Sequence, residues 1–459
     1  MSKTPHAVES AAPALEKLAA LGLEEAKKLG ADAAKVNTSA RWERRLVVEA
    51  GRFSLANSLA SRSIGIAVHK DKKKGSATIN SDDKDALRKA VADATALAAY
   101  SVPDEFLCLA TPEEAPPASP LPFSFDPELA DADLEQVQGI MQEVLGVLTR
   151  DKRLALDRFE MAADVSLHGT YNSLGVRQTE RQTMISWSYM GMARDGEEVT
   201  GFDYDSGFSY DLATALGRAM TDADRFAKKI LSFLKPRQCP SYKGAVLFSP
   251  RAVQELLAGM MLYHMSGRQV MDGKSKWEGS IGQRVLSPLI TITDNPHDGR
   301  FSGATSFDGD GLPTRTLTLV QDGVLQMHLH DLYSAKRCAA RFGKPVTSRG
   351  TAGGPFALAF APGKAPFAEL AGSQPNLLMI DRFSGNTDPV KGDFSGVAKS
   401  SRLFVRGEDA GAVTETMIAG NFFEIADKLL GLGNIAEIVS GGFQSPYLLL
   451  DGLSVTGQG

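Results

Sequence analysis

The sequence predicts two unlike halves: an α+β N-terminal domain, with helices laid against a largely antiparallel sheet, followed by a mainly-β C-terminal domain. Three observations predict this. Strand-like runs early in the chain follow one another too closely for crossover helices, which requires antiparallel pairing. Segments with apolar residues at helical spacing flank those runs and would cover one face of the sheet. Beyond Lys243, short β-runs alternate with Gly/Pro turns, and 44 glycines in 459 residues suit turns and close strands better than a helical bundle. The break at Lys235-Pro236 divides the chain into residues 1–235 and 236–459.

In order, residues 8–30 form an amphipathic helix, with Leu15, Leu18, Leu21 or Leu23, and Leu29 on its inward stripe. Four strand runs follow, at Ala33–Thr38, Arg45–Ala50, Arg52–Leu59 and Ser63–His69, and the lysine-rich KDKKKG is a solvated hairpin tip. Ser81-Asp82-Asp83 starts a helix carrying Leu87, Val91 and Leu97. Dense proline between Pro103 and Pro127 predicts an irregular connection. A helix over Pro127–Arg150 comes next, then strands at Leu154–Glu160, Ala163–Tyr171, Arg177–Gly191 and Glu198–Asp203, and a closing helix over Leu212–Leu234. In the second half, Ser249-Pro250 is a helix start, and Val253, Leu256, Leu257, Met260 and His264 share one stripe. Strand runs at Leu289–Ile292, Thr316–Val320, Val324–Leu329, Leu377–Ile380, Ser401–Arg406 and Tyr447–Leu453, and a helix over Phe422–Leu430, complete the prediction.

A formal charge of -5 gives no general attraction to nucleic acid or anionic lipid. Three scattered cysteines, Cys108, Cys239 and Cys338, suggest a reducing compartment. No signal peptide and no apolar run near the roughly 18 residues of a membrane span is visible, so a cytoplasmic protein is expected. No phosphate-cradling GxxxxGK[ST] loop is present.

Several polar groups invite chemistry. His328 and His330 alternate, with Asp331 beside them: half of a metal site, or polar residues on a solvated strand face. His264 with Asp272 and Glu278 is either a loose acid/base cluster or a histidine finishing an apolar helix face. Asp294, His297 and Asp298 gather in one Gly/Pro loop, where Asp and Asn also serve simply as turn formers. Cys338 sits among cations that would lower a thiol pKa, but it has no evident base partner.

Motifs spread along the chain carry a family resemblance: S-W-S-Y-M-G at Ser186–Gly191, G-F-D-Y-D at Gly201–Asp205, I-T-I-T-D-N-P, F-D-G-D-G-L-P-T-R at Phe307–Arg315, G-D-F-S-G at Gly392–Gly396, T-M-I-A-G-N-F at Thr416–Phe422 and L-S-V-T-G at Leu453–Gly457. The chain resembles the TldD/PmbA family, the modulator of DNA gyrase family, and most closely its PmbA/TldE branch. That resemblance implies a two-domain protein pairing with a second chain around a shared cleft. The TldD branch resembles a zinc peptidase with an HExxxH helix and a C-terminal cysteine ligand. Two imidazoles and a thiolate leave zinc room for an activated water, whose proton the glutamate can take. Here the comparable helix reads Q-E-L-L-A-G. Glu255 is kept, while Gln254 and Gly259 stand where the histidines would be, and Ser440–Pro446 contains no cysteine.

The expectation is therefore a subunit without catalytic or metal-binding residues of its own, paired with a TldD-like catalytic chain that holds the zinc, or a homodimer when alone. Its substrate would be an unfolded or short peptide, which can add as a strand to a sheet edge. Asp294, His297, Asp298, Asp308, Asp310 and Arg315 are the candidate cleft or interface residues. Two alternatives stand beside this one: an autonomous metallohydrolase drawing on His264, His328 and His330, and a homodimeric peptide-binding protein without catalysis. The gyrase label suggests a DNA-related role that the acidic balance does not support.

Overall fold

A computed structural model describes residues 4–346, 350, 354–414 and 416–457. Helices and an antiparallel sheet make the first half, and the second is mostly strand with a mixed sheet.

The first half opens with helix α1 (Thr4–Lys28), which buries Leu15, Leu18, Ala19 and Ala26, while Gly22 lets Val36 approach closely. Leu21 and Leu23 pack partly buried against the same core, while Leu29 lies past the helix end and is exposed, so the predicted stripe is corrected at that residue alone. The four expected strand runs are two long strands, β1 (Ala33–Glu49) and β2 (Arg52–Lys70). Their shared tip is Ala50-Gly51, both at positive φ, as a tight hairpin with right-handed strand twist requires. The lysine tip repeats this geometry at Asp71-Lys72 before β3 (Lys73–Ile79).

Helix α2 (Lys84–Tyr100) is capped by the Asp83 carboxylate and buries Leu87, Val91, Ala94 and Ala98, leaving Leu97 outside. The expected helix over Pro127–Arg150 is broken into α3 (Pro127–Asp131) and α4 (Leu134–Leu148), because Asp133 forms a capping box with Gln136. The carbonyls of Leu129, Ala130 and Ala132 freed at this break accept from the buried Arg44 guanidinium of β1. The runs at Leu154 and Ala163 also fuse, into β4 (Leu154–Asn172), the single run from Arg177 extends to Asp195 as β5 (Arg177–Asp195), and the expected run Glu198–Asp203 is divided between two strands. Short β6 (Glu198–Val199), β7 (Asp203–Ser209) and helix α5 (Leu212–Leu231) follow. The sheet runs β3-β2-β1-β4-β5, with β6 and β7 both paired to β5. Leu46, Val48, Phe159, Met161, Trp187 and Tyr189 fill the layer between it and α4 and α5.

The second half begins with β8 (Tyr242–Phe248). Its helical segment runs through α6 (Pro250–Ala252), a π-helical turn at Val253–Ala258, α7 (Gly259–Met265) and α8 (Gly267–Met271). Then come β9 (Ile292–Asp294), β10 (Leu317–Gln321), β11 (Val324–Leu325), α9 (Leu332–Phe342), β12 (Leu358–Phe360), α10 (Phe367–Gly372) and β13 (Asn376–Ile380). The remainder is β14 (Arg382–Thr387), β15 (Asp393–Lys399), β16 (Arg402–Val405), β17 (Glu408–Ala412), β18 (Thr416–Asn421), α11 (Phe422–Ile425), β19 (Leu429–Val439) and β20 (Phe443–Thr456).

β20 is the spine of this sheet. It pairs antiparallel with β8, β18 and β19 and parallel with β12. Three expectations are corrected here. The run from Leu289 becomes strand only at Ile292. The run from Val324 ends at Leu325, so His328 and His330 are not on a strand. The helix at Phe422 stops at Ile425, since Leu429 already belongs to a strand. Helix α9 was missed, although Asp331 caps it and Gly343 ends it in the left-handed conformation.

Candidate functional site

The helical segment leaving β8 starts as its residues dictate. The Ser249 hydroxyl accepts from the Ala252 amide at 3.2 Å and Pro250 occupies the first turn. Phe248, Val253, Leu256, Leu257 and Met260 bury its inner side against β20 and the rest of the C-terminal core. The outer side carries Gln254, Glu255 and Gly259. In an α-helix, residues five apart point about 140° away from each other. A π turn, closed by i→i+5 bonds, brings such residues toward one line. The π-helical Val253–Ala258 therefore gives positions 254 and 259 the alignment that an HExxxH motif needs, without the histidines. Gly259 is exposed, and a Cβ built there meets nothing within 4 Å, so this side opens onto free space.

Glu255 does not point freely into that space. Its Oε1 accepts from the Tyr204 hydroxyl at 3.1 Å and from Arg251 Nε at 3.2 Å, and its Oε2 accepts from the Phe383 amide at 2.9 Å. Arg251 also reaches the buried Asp203 carboxylate at 2.9 Å and the Tyr204 carbonyl at 2.8 Å. Asp203 further takes Lys229 at 3.3 Å, Arg382 at 3.4 Å and the Ser400 hydroxyl at 2.9 Å. Lys229 turns as well to Asp381, and both Arg251 and Arg382 lie over the Tyr204 ring, at 4.2 and 4.4 Å.

Three cations, Lys229, Arg251 and Arg382, thus face three carboxylates, Asp203, Glu255 and Asp381, where β7 and α5 meet the motif helix and β14. Burial alone would raise the Asp203 pKa, but its three cations outweigh that and hold it below the ordinary range. Burial likewise opposes the Arg251 charge, and Asp203 overcomes it. The network was not anticipated from sequence. The only hint was the acidic G-F-D-Y-D motif, which supplies Asp203 and Tyr204.

The other candidate residues lie elsewhere. Asp294 is buried, with its Oδ1 accepting from the amides of Phe356 and Ala357 at 3.0 and 2.7 Å, and burial raises its pKa. His297 Nε2 lies 3.0 Å from the Thr314 hydroxyl, and Asp298 forms a two-toothed pair with Arg300. Asp308 closes its own turn through the amides of Asp310 and Leu312. Asp310 takes Lys35 of β1 at 3.2 Å. Gln178, Glu180 and Gln182 of β5 bind the backbone of Gly311, Ser306 and Ala304. Residues 304–311 are thereby tied to the N-terminal sheet. Arg315 is exposed and lines a cavity of about 490 Å³ with Cys108, Leu312 and Lys336.

The histidines do not converge on a metal-ligating set. His264 is fully buried, with Nε2 at 2.8 Å from the Pro389 carbonyl and Nδ1 accepting from the Lys276 amide at 3.1 Å, which makes it a neutral core residue. Glu278 pairs with Arg341 rather than with His264. The His328 and His330 rings are 6.2 Å apart and both are buried, and Asp331 is occupied in capping α9 and pairing with Arg268. Among the described residues no group of three or more His, Cys, Asp or Glu side chains is placed to hold a metal ion. At the motif itself the donor set does not fit zinc: a glutamine amide is a poor ligand, glycine has no side-chain donor, and Glu255 is engaged by Tyr204, Arg251 and the Phe383 amide. Cys338 is buried and its thiol is pushed up to about 11, so the neighbouring cations do not activate it. No helix among the described residues is long and apolar enough to cross a membrane.

Comparison with known proteins agrees with this frame. Residues 241–457 match the model of the PmbA/TldA metallopeptidase C-terminal domain, and residues 38–98 match that of PmbA/TldA metallopeptidase domain 1. The chain is 26% identical over 406 residues to the metalloprotease PmbA of Escherichia coli O157:H7, covering 86% of each chain. A PmbA homologue of Haemophilus influenzae is 26% identical over 413 residues, covering 86% of this chain and 85% of the relative. In fold it is similar to TldE from Thermococcus kodakarensis (TM-score 0.82, 20% identity, 97% of this chain and 100% of that one). It is also similar to a Thermotoga maritima protein described as a modulator of a DNA gyrase (TM-score 0.81, 21% identity, 96% and 100%). The spread of these matches over both halves, on a fold that keeps the motif helix, places the chain in the PmbA/TldD metallopeptidase family.

Proposed function

We propose that this chain is the non-metal-binding, PmbA/TldE-like subunit of a two-chain zinc metallopeptidase, paired with a TldD-like catalytic chain and acting on unfolded or short peptides. The observation that carries the reading is the motif helix. It has a π turn over Val253–Ala258 and the glutamate of the motif, but Gln254 and Gly259 stand at the ligand positions and Glu255 is drawn into an ion network. A glutamate held by an arginine, a tyrosine hydroxyl and a backbone amide is fixed by three hydrogen bonds within its own chain. Its role in this chain is to fix the motif helix against β7 and β14. The outer side of that helix would form a wall of the cleft in which the partner's zinc works.

Co-expression with a TldD-like chain tests this, with zinc analysis and peptide hydrolysis measured for each chain alone and for the pair. The pair is expected to hydrolyse, with zinc on the TldD-like chain. Stoichiometric zinc and peptide cleavage by this chain alone would sink the proposal and favour an autonomous metallohydrolase. A chain that binds peptide but enhances no partner's activity would favour a peptide-binding protein.

A further inference from the structure

A cavity of about 490 Å³ lies between the proline-rich connection of the first half and helix α9 of the second. Its size falls in the roughly 300–1,000 Å³ range of small-molecule sites, which favour junctions of this kind. Leu109, Leu312 and Leu332 give it apolar walls. Its charged lining is unequal, with Arg315 and Lys336 against Glu114. Arg315 is exposed, and no ion pair among the described residues engages its guanidinium. Lys336 Nζ donates to the Glu105 and Leu107 carbonyls, each at 3.3 Å, which hold the ammonium in place without neutralising it. Glu114 is already committed, because its Oε2 accepts from the Thr111 amide at 2.9 Å. Cys108, also on the wall, adds no negative charge, since burial raises its thiol pKa.

We propose that this cavity binds a monocarboxylate carried on an apolar aliphatic or aromatic body. The carboxylate sits at Arg315 and Lys336, and the body lies over Leu109, Leu312 and Leu332. A guanidinium offers parallel N–H groups that match the two oxygens of a carboxylate. The leucine walls favour hydrocarbon behind that group, since burying it takes apolar surface out of water. Glu114 on the same wall disfavours a second negative charge on the ligand, which sets phosphates and dicarboxylates apart from the preferred class. A free small acid and the C-terminal residue of a short peptide share this chemistry. Only the second source touches the peptidase reading, and the site itself does not rest on it.

Calorimetric titration of the purified chain with phenylbutyrate should show one site. Phenylbutyramide, which lacks the charge, and glutarate, which carries a second one, should each bind about tenfold or more weakly, the scale of one charge-assisted hydrogen bond. Cys108 reports the location. Cys239 and Cys338 are buried, so iodoacetamide at alkaline pH should label Cys108 first, and saturating phenylbutyrate should slow that labelling. Arg315→Gln changes an exposed side chain, so it should keep the melting temperature while weakening phenylbutyrate about tenfold or more. Arg315→Lys should retain part of the affinity. A leucine-terminated tripeptide tested as acid and as amide separates the sources. Competition by the acid alone assigns the cavity to peptide C-termini, and competition by neither assigns it to free small acids. Equal binding of phenylbutyrate and its amide, or affinity unchanged in Arg315→Gln, overturns the proposal. So does bound acid that leaves Cys108 labelling unaffected, or no binding at millimolar concentration. All of these are read on the chain alone, so hydrolysis by a co-expressed pair decides the peptidase reading independently.

Discussion

Glu255 is the residue at which chemistry and architecture part. A general base needs a free lone pair toward its proton donor, and removing one typically costs roughly 10²–10⁴-fold in rate. Here the carboxylate serves Tyr204, Arg251 and the Phe383 amide. Glu255→Gln should lower stability by about 2 kcal/mol, the scale of charge-assisted hydrogen bonds. The hydrolysis rate of a co-expressed pair, assayed well below the melting temperature, should stay close to wild type; a loss of hundredfold or more would restore Glu255 as a base. Asp203 makes a second residue-scale prediction. Its folded pKa lies below the unfolded value of about 3.9, so its contribution is full above that value and is lost as pH falls through the folded pKa. Asp203→Asn should flatten the most acidic limb of a pH–stability curve and weaken the protein at neutral pH.

His328 acts in the same direction but in a higher pH window. Burial pushes it down to about 4, against the pull of neighbouring backbone carbonyls. Between its ordinary value near 6.5 and that lowered one, the unfolded chain binds a proton that the folded chain refuses, so stability falls as pH falls across the window. His328→Gln should reduce the slope of denaturation free energy between pH 6.5 and 4. His69, also lowered to about 4, supplies part of the remainder.

At the scale of elements, close backbone approach matters as much as apolar patterning. Gly75 of β3 lies under α2, and a Cβ there would fall 1.9 Å from the Ala94 carbonyl oxygen. Gly75→Ala must push the helix off the sheet, with an expected loss of about 1–3 kcal/mol by chemical denaturation. Helix starts were legible because caps are local: Asp83, Ser249 and Pro250 sit where the sequence puts them. Strand lengths were not. Pairs of short runs became the single strands β1, β2 and β4, of 17 to 19 residues, since polar residues such as Arg41 and Glu43 can face the open side of a sheet whose other side is packed. The α3–α4 break depended on Arg44, some 85 residues earlier, offering a guanidinium to the freed carbonyls. The π turn was invisible as well, because its hydrogen-bond pattern leaves no signature in apolar spacing.

For the whole molecule, two of the junctions between the halves differ in chemistry: the ion network around Asp203, and the row Gln178, Glu180 and Gln182 holding residues 304–311. Glu180 accepts from the Ser306 amide and the Thr305 hydroxyl, so Glu180→Ala should loosen that segment. Faster limited proteolysis near residues 300–315 is the expected readout, with the far-UV spectrum preserved.

The sequence by itself determined the class of each half, the caps, the family resemblance and the absence of histidines from motif positions 254 and 259, since all of these are carried by residue type and local spacing. Only the tertiary structure decided where Glu255 points, that Asp203 meets three cations, that His264 is a core residue, and that Arg315 and Lys336 share a cavity with Cys108. Each of these depends on groups distant in sequence that folding brings within a few ångströms, and pairings of that kind leave no periodicity to read.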